Sequence, residues 1–163
     1  MSDGRANGPL SELAAAVNSA AAAVRGDAGA PPVPPTLDRP RHKGQGDYST
    51  NAAMLLAPVL SEQPRTVAER IAAELSAALG DQLERAEVAG PGFVNLWLSD
   101  AWHRRALRSV LDAGERFGAG GADPAERISI EFVSANASGP LVAASWRHGS
   151  YGDALARILE RHG

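Results

Sequence analysis

Apolar residues recur at every third or fourth position near the start of the chain. They are Leu10, Leu13, Val17, Ala21 and Val24. This spacing predicts an amphipathic helix from Pro9 to about Arg25, which ends at Gly26. The same spacing returns after Pro64, which suits a first helical turn, and predicts a second helix as far as Gly80.

Two less regular segments lie between these helices. Five prolines fall between Ala30 and Pro40, so this stretch is predicted to be an extended connector or at best an edge strand. The polar run from Arg41 to Asp47 reads as a loop, and apolar residues then predict a helix from about Thr50 to Leu60.

Short β-like runs follow, at Glu84 to Ala89 and at Phe93 to Leu98, and Gly90-Pro91-Gly92 separates them as a tight connection. They predict an antiparallel pair. Either Ser99 or Asp100 is expected to cap a further helix that continues to about Phe117. The residues expected to face inward on it are Trp102, Ala106, Val110 and Leu111.

The glycine-rich stretch from Gly118 to Pro124 is the best candidate for a domain boundary, placed at residue 123. After it, alternating apolar residues predict a strand from Arg127 to Val133, a loop follows from Ser134 to Ala144, and helical spacing covers Ser145 to Arg161. A strand, loop and helix in this order form the first half of a βαβ unit. Because a parallel strand needs neighbours and cover on both faces, the last forty residues are expected to belong to a larger fold.

Composition and charge exclude several function classes. The 163 residues carry 16 basic and 19 acidic side chains, a formal net charge of −3, which argues against a globally basic nucleic-acid coat. Two interpretations of Arg104, Arg105 and Arg108 stay open, a local phosphate-contacting patch and a solvated basic helix face.

The chain has no cysteine, its four histidines lack metal-ligand spacing, and no apolar run approaches the length of a membrane span. Without a secretory signal at Met1, a cytoplasmic protein is the expectation.

The loop from Ser134 to Ser145 is the leading candidate for chemistry. The first turn of the following helix, with Arg147 in it, would favour a phosphate. An ordinary strand-to-helix connection explains the same residues, and both readings stay open at this level.

Three motifs closely resemble arginyl-tRNA synthetases. The sequence from Glu131 to Leu141, E-F-V-S-A-N-A-S-G-P-L, with G-D-A-L-A-R from Gly152, is similar to the start of that family's catalytic domain, which usually reads E-F-V-S-A-N-P-T-G-P-L-H-V-G-H. The segments from Gly46 to Ala53 and from Gly90 to Asn95 resemble the two signatures of its N-terminal additional domain, which contacts the tRNA D-loop.

The resemblance implies roles for individual residues. Glu131, Ser134 and Asn136 match positions that bind the arginine substrate, and Phe93 with Asn95 matches positions that touch a D-loop nucleotide. The positions implied to contact ATP or act in catalysis are Gly139, Pro140, Val142, Ala143, Ala144, Ser145 and Arg147. No metal ligand is implied in the protein, although Mg²⁺ is expected to accompany ATP.

The class I signature itself departs from the family. Where H-V-G-H is usual, this chain has Val142-Ala143-Ala144-Ser145, so both imidazoles that contact ATP phosphates are replaced. The loss of two donors to a transition-state phosphate costs on the order of a few kcal/mol each. Either Ser145, the helix N-terminus and Arg147 substitute for them, or the site has decayed.

These observations lead to one expected architecture and two competing functions. The fold class is an α+β tRNA-contacting domain over residues 1–123, then over residues 124–163 the first β-loop-α unit of a Rossmann-type catalytic domain. The chain is expected to be the N-terminal part of an arginine–tRNA ligase that is monomeric at full length. Its expected partners are tRNA, L-arginine and ATP, and no association with a membrane is expected. The alternative is a freestanding, non-catalytic RNA-binding module derived from a synthetase. A third reading is an α/β nucleotide-binding fragment with no tRNA role.

Overall fold

The structure is a computed structural model that describes residues 8–29, 31, 33–40, 42–120, 126–136 and 138–163. The described residues fall into two compact units, one within Asn7–Asp112 and the other within Ala113–Gly163. None of the helices in the described ranges is long and apolar enough to cross a membrane. The sequence-based domain boundary at residue 123 lies in a stretch, 121–125, that is outside these ranges.

The larger unit combines four helices with one antiparallel sheet. The helices are α1 (Pro9–Arg25), α2 (Ala52–Leu60), α3 (Pro64–Leu79) and α4 (Asp100–Ala113), and a 3₁₀ turn at Gly80–Gln82 follows α3. The strands are β1 (Leu37–Asp38), β2 (Tyr48–Thr50), β3 (Leu83–Ala89) and β4 (Phe93–Leu98), in the spatial order β1-β2-β4-β3. Every neighbouring pair is antiparallel, so the predicted α+β class of this part and the β3–β4 pair are confirmed.

The core lies between one face of the sheet and the helices α1, α2 and α3. On β4, Val94, Leu96 and Leu98 alternate into it, because successive side chains of a strand point to opposite faces. From the helices, the largest fully buried side chains are Leu13, Val17, Leu56, Val67, Ile71 and Leu75. The periodic apolar positions read from the sequence therefore form the core.

The structure corrects two details of the sequence prediction in this unit. Thr50 does not begin α2 but ends β2, where its hydroxyl accepts a hydrogen bond from the Ala52 N–H at 3.3 Å. On α4, Trp102 is buried as expected but Leu111 is 67% exposed, so the inward face predicted for this helix does not reach its last turn. The helix itself ends at Ala113, and a 3₁₀ turn at Gly114–Arg116 follows it.

The smaller unit contains one long helix and an extended segment. The helix α5 (Ala143–His162) includes the predicted range, but the residues from Arg127 to Val133 form no strand. A strand is defined by hydrogen bonds to a neighbour, and the described residues provide none here. Val133 also takes a left-handed φ of +57°, which interrupts an extended run. The prediction of a strand in the expected Rossmann-type β-loop-α unit is thus wrong, and the Rossmann assignment is not confirmed.

Candidate nucleic-acid interface

The face of the sheet opposite the core carries the residues that the sequence assigned to tRNA. Phe93, Asn95 and Trp97 alternate with the core residues of β4, so they point away from α2 and α3. The Phe93 side chain is 38% exposed, so part of its ring is open to solvent. An exposed aromatic on an open sheet face is a platform on which a flat base stacks.

A surface groove of about 740 Å³ lies beside Phe93 and Asn95. Its volume falls in the range of ~300–1,000 Å³ that is typical of small-ligand sites. Ser49 of β2 is the cross-strand partner of Asn95 and also lines the groove. The other lining residues are Thr36, Asp38, Arg39, Pro40, His42, Gln45, Ala89 and Gly90. The structure therefore brings the two segments that resemble N-terminal-domain signatures, far apart in sequence, to adjacent strands at one groove.

The side chain of Asn95 is the most informative group in this groove. The residue is 7% exposed and lines the groove, and no hydrogen bond joins its carboxamide to another residue that the structure describes. A carboxamide offers two N–H donors and a carbonyl acceptor. A carboxamide that lines the groove is therefore placed to pair with a molecule bound there.

The first signature segment, by contrast, mainly holds the backbone in place. Asp47 accepts a hydrogen bond from the Leu98 N–H at 2.8 Å, and its own N–H donates to the Leu96 carbonyl at 2.8 Å. Asn51 accepts one from the Thr36 N–H at 2.8 Å. These bonds fix the connection between β1 and β2 against β4. Among the residues of this segment only Ser49 lines the groove.

We expect Asp47→Ala to lower the free energy of unfolding by about 1.5–3 kcal/mol, because the part-buried Leu98 N–H loses a charged acceptor. Asp47→Asn is the matched control, since its Oδ1 still accepts a hydrogen bond, and it should cost less than half as much. Urea unfolding followed by circular dichroism measures both. Equal losses in the two variants would contradict the assigned hydrogen bond.

The arginine patch on α4 is largely neutralised by acidic neighbours. Arg105 pairs with Glu12 of α1 at 2.7 Å, and Arg108 pairs with Asp112 at 3.4 Å. Both pairs are solvent-exposed and act mainly to cancel charge. The hypothesis of a phosphate-contacting patch on this helix therefore loses two of its three cations, and the reading of a solvated helix face is favoured.

Sequence reasoning missed one cluster on the same sheet face. The Arg85 guanidinium lies 4.1 Å from the centre of the Trp97 ring, and its Nε is 3.2 Å from Glu87 Oε1. Arg85 and Trp97 are cross-strand partners in the β3–β4 register, which the sequence alone does not specify. The cluster covers the end of the sheet face away from Phe93.

The signature loop in the smaller unit is open to solvent. The Ser134 hydroxyl donates to the Glu131 carboxylate, and both residues are exposed, as are Asn136, Gly139, Pro140 and Arg147. In the degenerate signature, Val142, Ala143 and Ala144 are exposed and Ser145 is half-buried at the start of α5. No enclosed pocket gathers the predicted arginine and ATP positions within the described part of this unit, so their roles stay predictions. Nor does any group of three or more His, Asp or Glu in the described ranges form a metal site.

Comparison with known proteins decides the family. Residues 11–98 match the sequence model of the arginyl-tRNA synthetase N-terminal domain, which is more than half of the chain. The chain belongs to the arginyl-tRNA synthetase family. The match covers α1 to β4, the elements that build the core and the groove.

Relatives of this family extend the similarity into the signature loop. The arginine–tRNA ligase of Rhodopseudomonas palustris is 42% identical over 159 residues, which is 94% of this chain and 26% of that protein. The Burkholderia lata ligase is 41% identical over 154 residues, which is 93% of this chain and 26% of the relative. The chain thus spans about a quarter of the length of these ligases and corresponds to an N-terminal portion of a synthetase.

A solved structure supports the same assignment. The Thermus thermophilus arginyl-tRNA synthetase superposes with a TM-score of 0.60 at 26% sequence identity, over 93% of this chain and 24% of that one. The sequence-based identification of the family is therefore confirmed.

Proposed function

We propose that this chain is the tRNA-contacting N-terminal part of an arginine–tRNA ligase, and that its groove binds one unstacked nucleotide of the tRNA D-loop. The observation that carries the proposal is the groove in which the carboxamide of Asn95 lies beside the exposed ring of Phe93. The family membership supplies the class of partner, since the relatives are named arginine–tRNA ligases.

The chemistry of the groove suits a single base. Stacking on Phe93 is tolerant of base identity, because every base has a π-face, and it contributes about 1–3 kcal/mol. Asn95 adds discrimination, because its donors and acceptor pair with the edge of a base only in a matching arrangement. The Ser49 hydroxyl, opposite Asn95 on β2, is placed to add a further hydrogen bond.

The wider activity proposed for the full-length protein is ATP-dependent activation of L-arginine to arginyl-adenylate, followed by transfer to the tRNA 3′ end. In this scheme Glu131, Ser134 and Asn136 hold arginine. Gly139, Pro140, Ser145 and Arg147 contact ATP, which carries Mg²⁺. Because these positions are exposed in the smaller unit, the pocket needs further parts of a synthetase. We propose a cytoplasmic, monomeric enzyme.

A non-catalytic RNA-binding module is the second candidate. The observation that favours it is the replacement of both signature histidines, at Val142 and Ser145, while the groove of the larger unit keeps Phe93 and Asn95. This module would use the same groove for RNA and differ only in having no part in adenylate formation. A pyrophosphate-exchange assay of this chain joined to the remaining parts of a synthetase, rather than RNA binding, separates the two candidates.

Phe93→Ala and Asn95→Ala are each expected to weaken binding of an arginine tRNA transcript about 5- to 100-fold, as the loss of ~1–3 kcal/mol of stacking or base-edge bonding implies. Nitrocellulose filter binding with the 163-residue chain measures the dissociation constants. Leu107→Ala is the control, because Leu107 is 59% exposed on α4 and does not line the groove.

Unchanged affinity in both groove variants, in a chain that binds the transcript, would refute the proposed site. That result would favour the α/β nucleotide-binding fragment without a tRNA role. Circular dichroism melts of each variant establish that the fold is retained.

A further inference from the structure

The groove has a second wall to which the proposed function assigns no role. The loop between β1 and β2 contributes Arg39, Pro40, His42 and Gln45 to the lining. These residues line the same groove as Phe93 and Asn95, so a nucleotide bound there would also lie beside the loop. Phe93 and Asn95 explain how the base would be bound. The residues of the loop have no role in that explanation.

The loop concentrates positive charge in an acidic chain. The sequence from Arg39 to Lys43 reads R-P-R-H-K, within a protein whose formal net charge is −3. Arg39, His42 and Lys43 are exposed, and none of them forms an ion pair with an acidic residue in the described ranges. The loop therefore differs from the α4 arginines, two of which are neutralised by neighbours.

Asp38 is the one carboxylate among the described lining residues, and its position separates it from the loop. It pairs with Ser49 in the β1–β2 register, and Ser49 pairs with Asn95 in the β2–β4 register. Asp38 therefore lies in one cross-strand row with Ser49 and Asn95, the row that the proposed function assigns to the base. Arg39 is the next residue, beyond the strand, and its guanidinium lies 5.9 Å from the centre of the Tyr48 ring.

Both ends of the loop are fixed to the sheet. Leu37 and Asp38 pair with β2 on one side, and on the other Asp47 is bound to β4 through its N–H and its carboxylate. A loop held at both ends presents its side chains with little additional ordering when a ligand binds. Arg39 and His42 thus lie between two backbone segments that are held beside the groove.

We propose that Arg39 and His42 form a phosphate-binding wall, which contacts the backbone phosphates of the nucleotide whose base rests on Phe93 and Asn95. This inference rests on the proposed function and assigns the phosphates and the base of the nucleotide to different residues. Phosphate contacts position a nucleic acid without reading its sequence, whereas contacts to a base edge specify it. Arg39 supplies a forked set of N–H donors, and His42 supplies an imidazole N–H to a phosphate oxygen.

The test measures binding of the 163-residue chain to two transcripts at several KCl concentrations. One is an arginine tRNA, and the other is the same tRNA with abasic sites at its D-loop nucleotides, so that phosphates remain and bases do not. Arg39→Ala is expected to weaken binding of both by about three- to tenfold. It should also reduce the slope of log affinity against log salt by about 0.7–1, the change expected when one cation no longer neutralises a phosphate.

Four other variants make the result specific. Arg39→Lys keeps the charge and should restore most of the salt slope, while His42→Ala combined with Arg39→Ala should weaken binding further on both transcripts. Arg157→Ala removes the same formal charge from α5, where Arg157 pairs with Asp153, and should leave affinity and slope unchanged. Asn95→Ala should weaken binding of the intact tRNA only, with no change in slope.

The outcomes separate this inference from the proposed function. If Asn95→Ala weakens binding of the intact tRNA but Arg39→Ala changes neither affinity nor slope, the phosphate wall is wrong and the base site stands. If Arg39→Ala acts on the intact tRNA alone, the residue reads a base, which also overturns the inference. If neither Phe93→Ala nor Asn95→Ala has an effect, the proposed function fails and the wall fails with it.

Discussion

Replacing Val142 and Ser145 with histidine is expected to raise arginine-dependent pyrophosphate exchange at least about a hundredfold in a chimeric ligase. In this chimera, the chain replaces the corresponding quarter of the Rhodopseudomonas palustris enzyme, to which it is 42% identical. The two imidazoles each provide a donor to the transition-state phosphate that the native residues lack. Such a donor contributes on the order of 2.7–4 kcal/mol, and about 1.4 kcal/mol corresponds to a factor of ten in rate.

Leu141→His is the matched control, because it adds an imidazole one residue away from the signature positions. It should leave exchange at the level of the unmodified chimera. The 163-residue chain by itself should show no exchange with or without the histidines, since its signature loop is exposed.

An unmodified chimera with exchange within about tenfold of the histidine variant would contradict this expectation. Ser145, the first turn of α5 and Arg147 would then supply the missing stabilisation. Arg147→Ala tests that explanation, because it should lower exchange about a hundredfold only if the guanidinium has taken over the role of an imidazole.

The second large effect is expected at Gly46. Its φ is +90°, and an added Cβ would lie 2.7 Å from the Leu96 carbonyl oxygen, a backbone atom that cannot move without disturbing β4. We expect Gly46→Ala to lower the free energy of unfolding by about 2–5 kcal/mol, the sum of a strained backbone angle and an overpacked contact. Chemical unfolding of the purified chain gives the value.

Gly44→Ala is the control for the backbone angle alone. Gly44 has a similar φ of +85°, but an added Cβ there meets no atom within 4 Å. Gly44→Ala should lower the free energy of unfolding by no more than about 1–3 kcal/mol. Equal destabilisation by the two variants would show that strain alone, and not the close approach of this segment to β4, requires the glycine.

The extent to which the sequence predicted the fold depends on where each element gets its stabilisation. The helices α1 and α3 were predicted closely, because their apolar residues follow the 3.6-residue period and Pro9 and Pro64 mark their starts. The β3–β4 pair was predicted from its β-like runs and the glycine-containing turn. The strand from Arg127 to Val133 was wrong, because alternation indicates a strand only where a neighbour completes its hydrogen bonds.

Only part of the candidate site could be predicted from the sequence. Phe93 and Asn95 were found through a resemblance, which carries no information about what surrounds them. The unpaired state of the Asn95 carboxamide, the loop wall at Arg39 and the Arg85–Trp97 contact depend on cross-strand register. Register changes by one residue move every side chain to the other face, so contacts of this kind follow from the assembled sheet.

By itself the sequence determined the helices of the larger unit, their buried faces, the absence of cysteine chemistry and membership of the arginyl-tRNA synthetase family, because these depend on local periodicity and on linear motifs. Only the tertiary structure decided that β2 lies next to β4, and hence that a basic loop and the strand with Phe93 and Asn95 line one groove. The physical reason is that sheet order and loop placement come from packing between residues some fifty positions apart, such as Asp47 and Leu98, which no local pattern records.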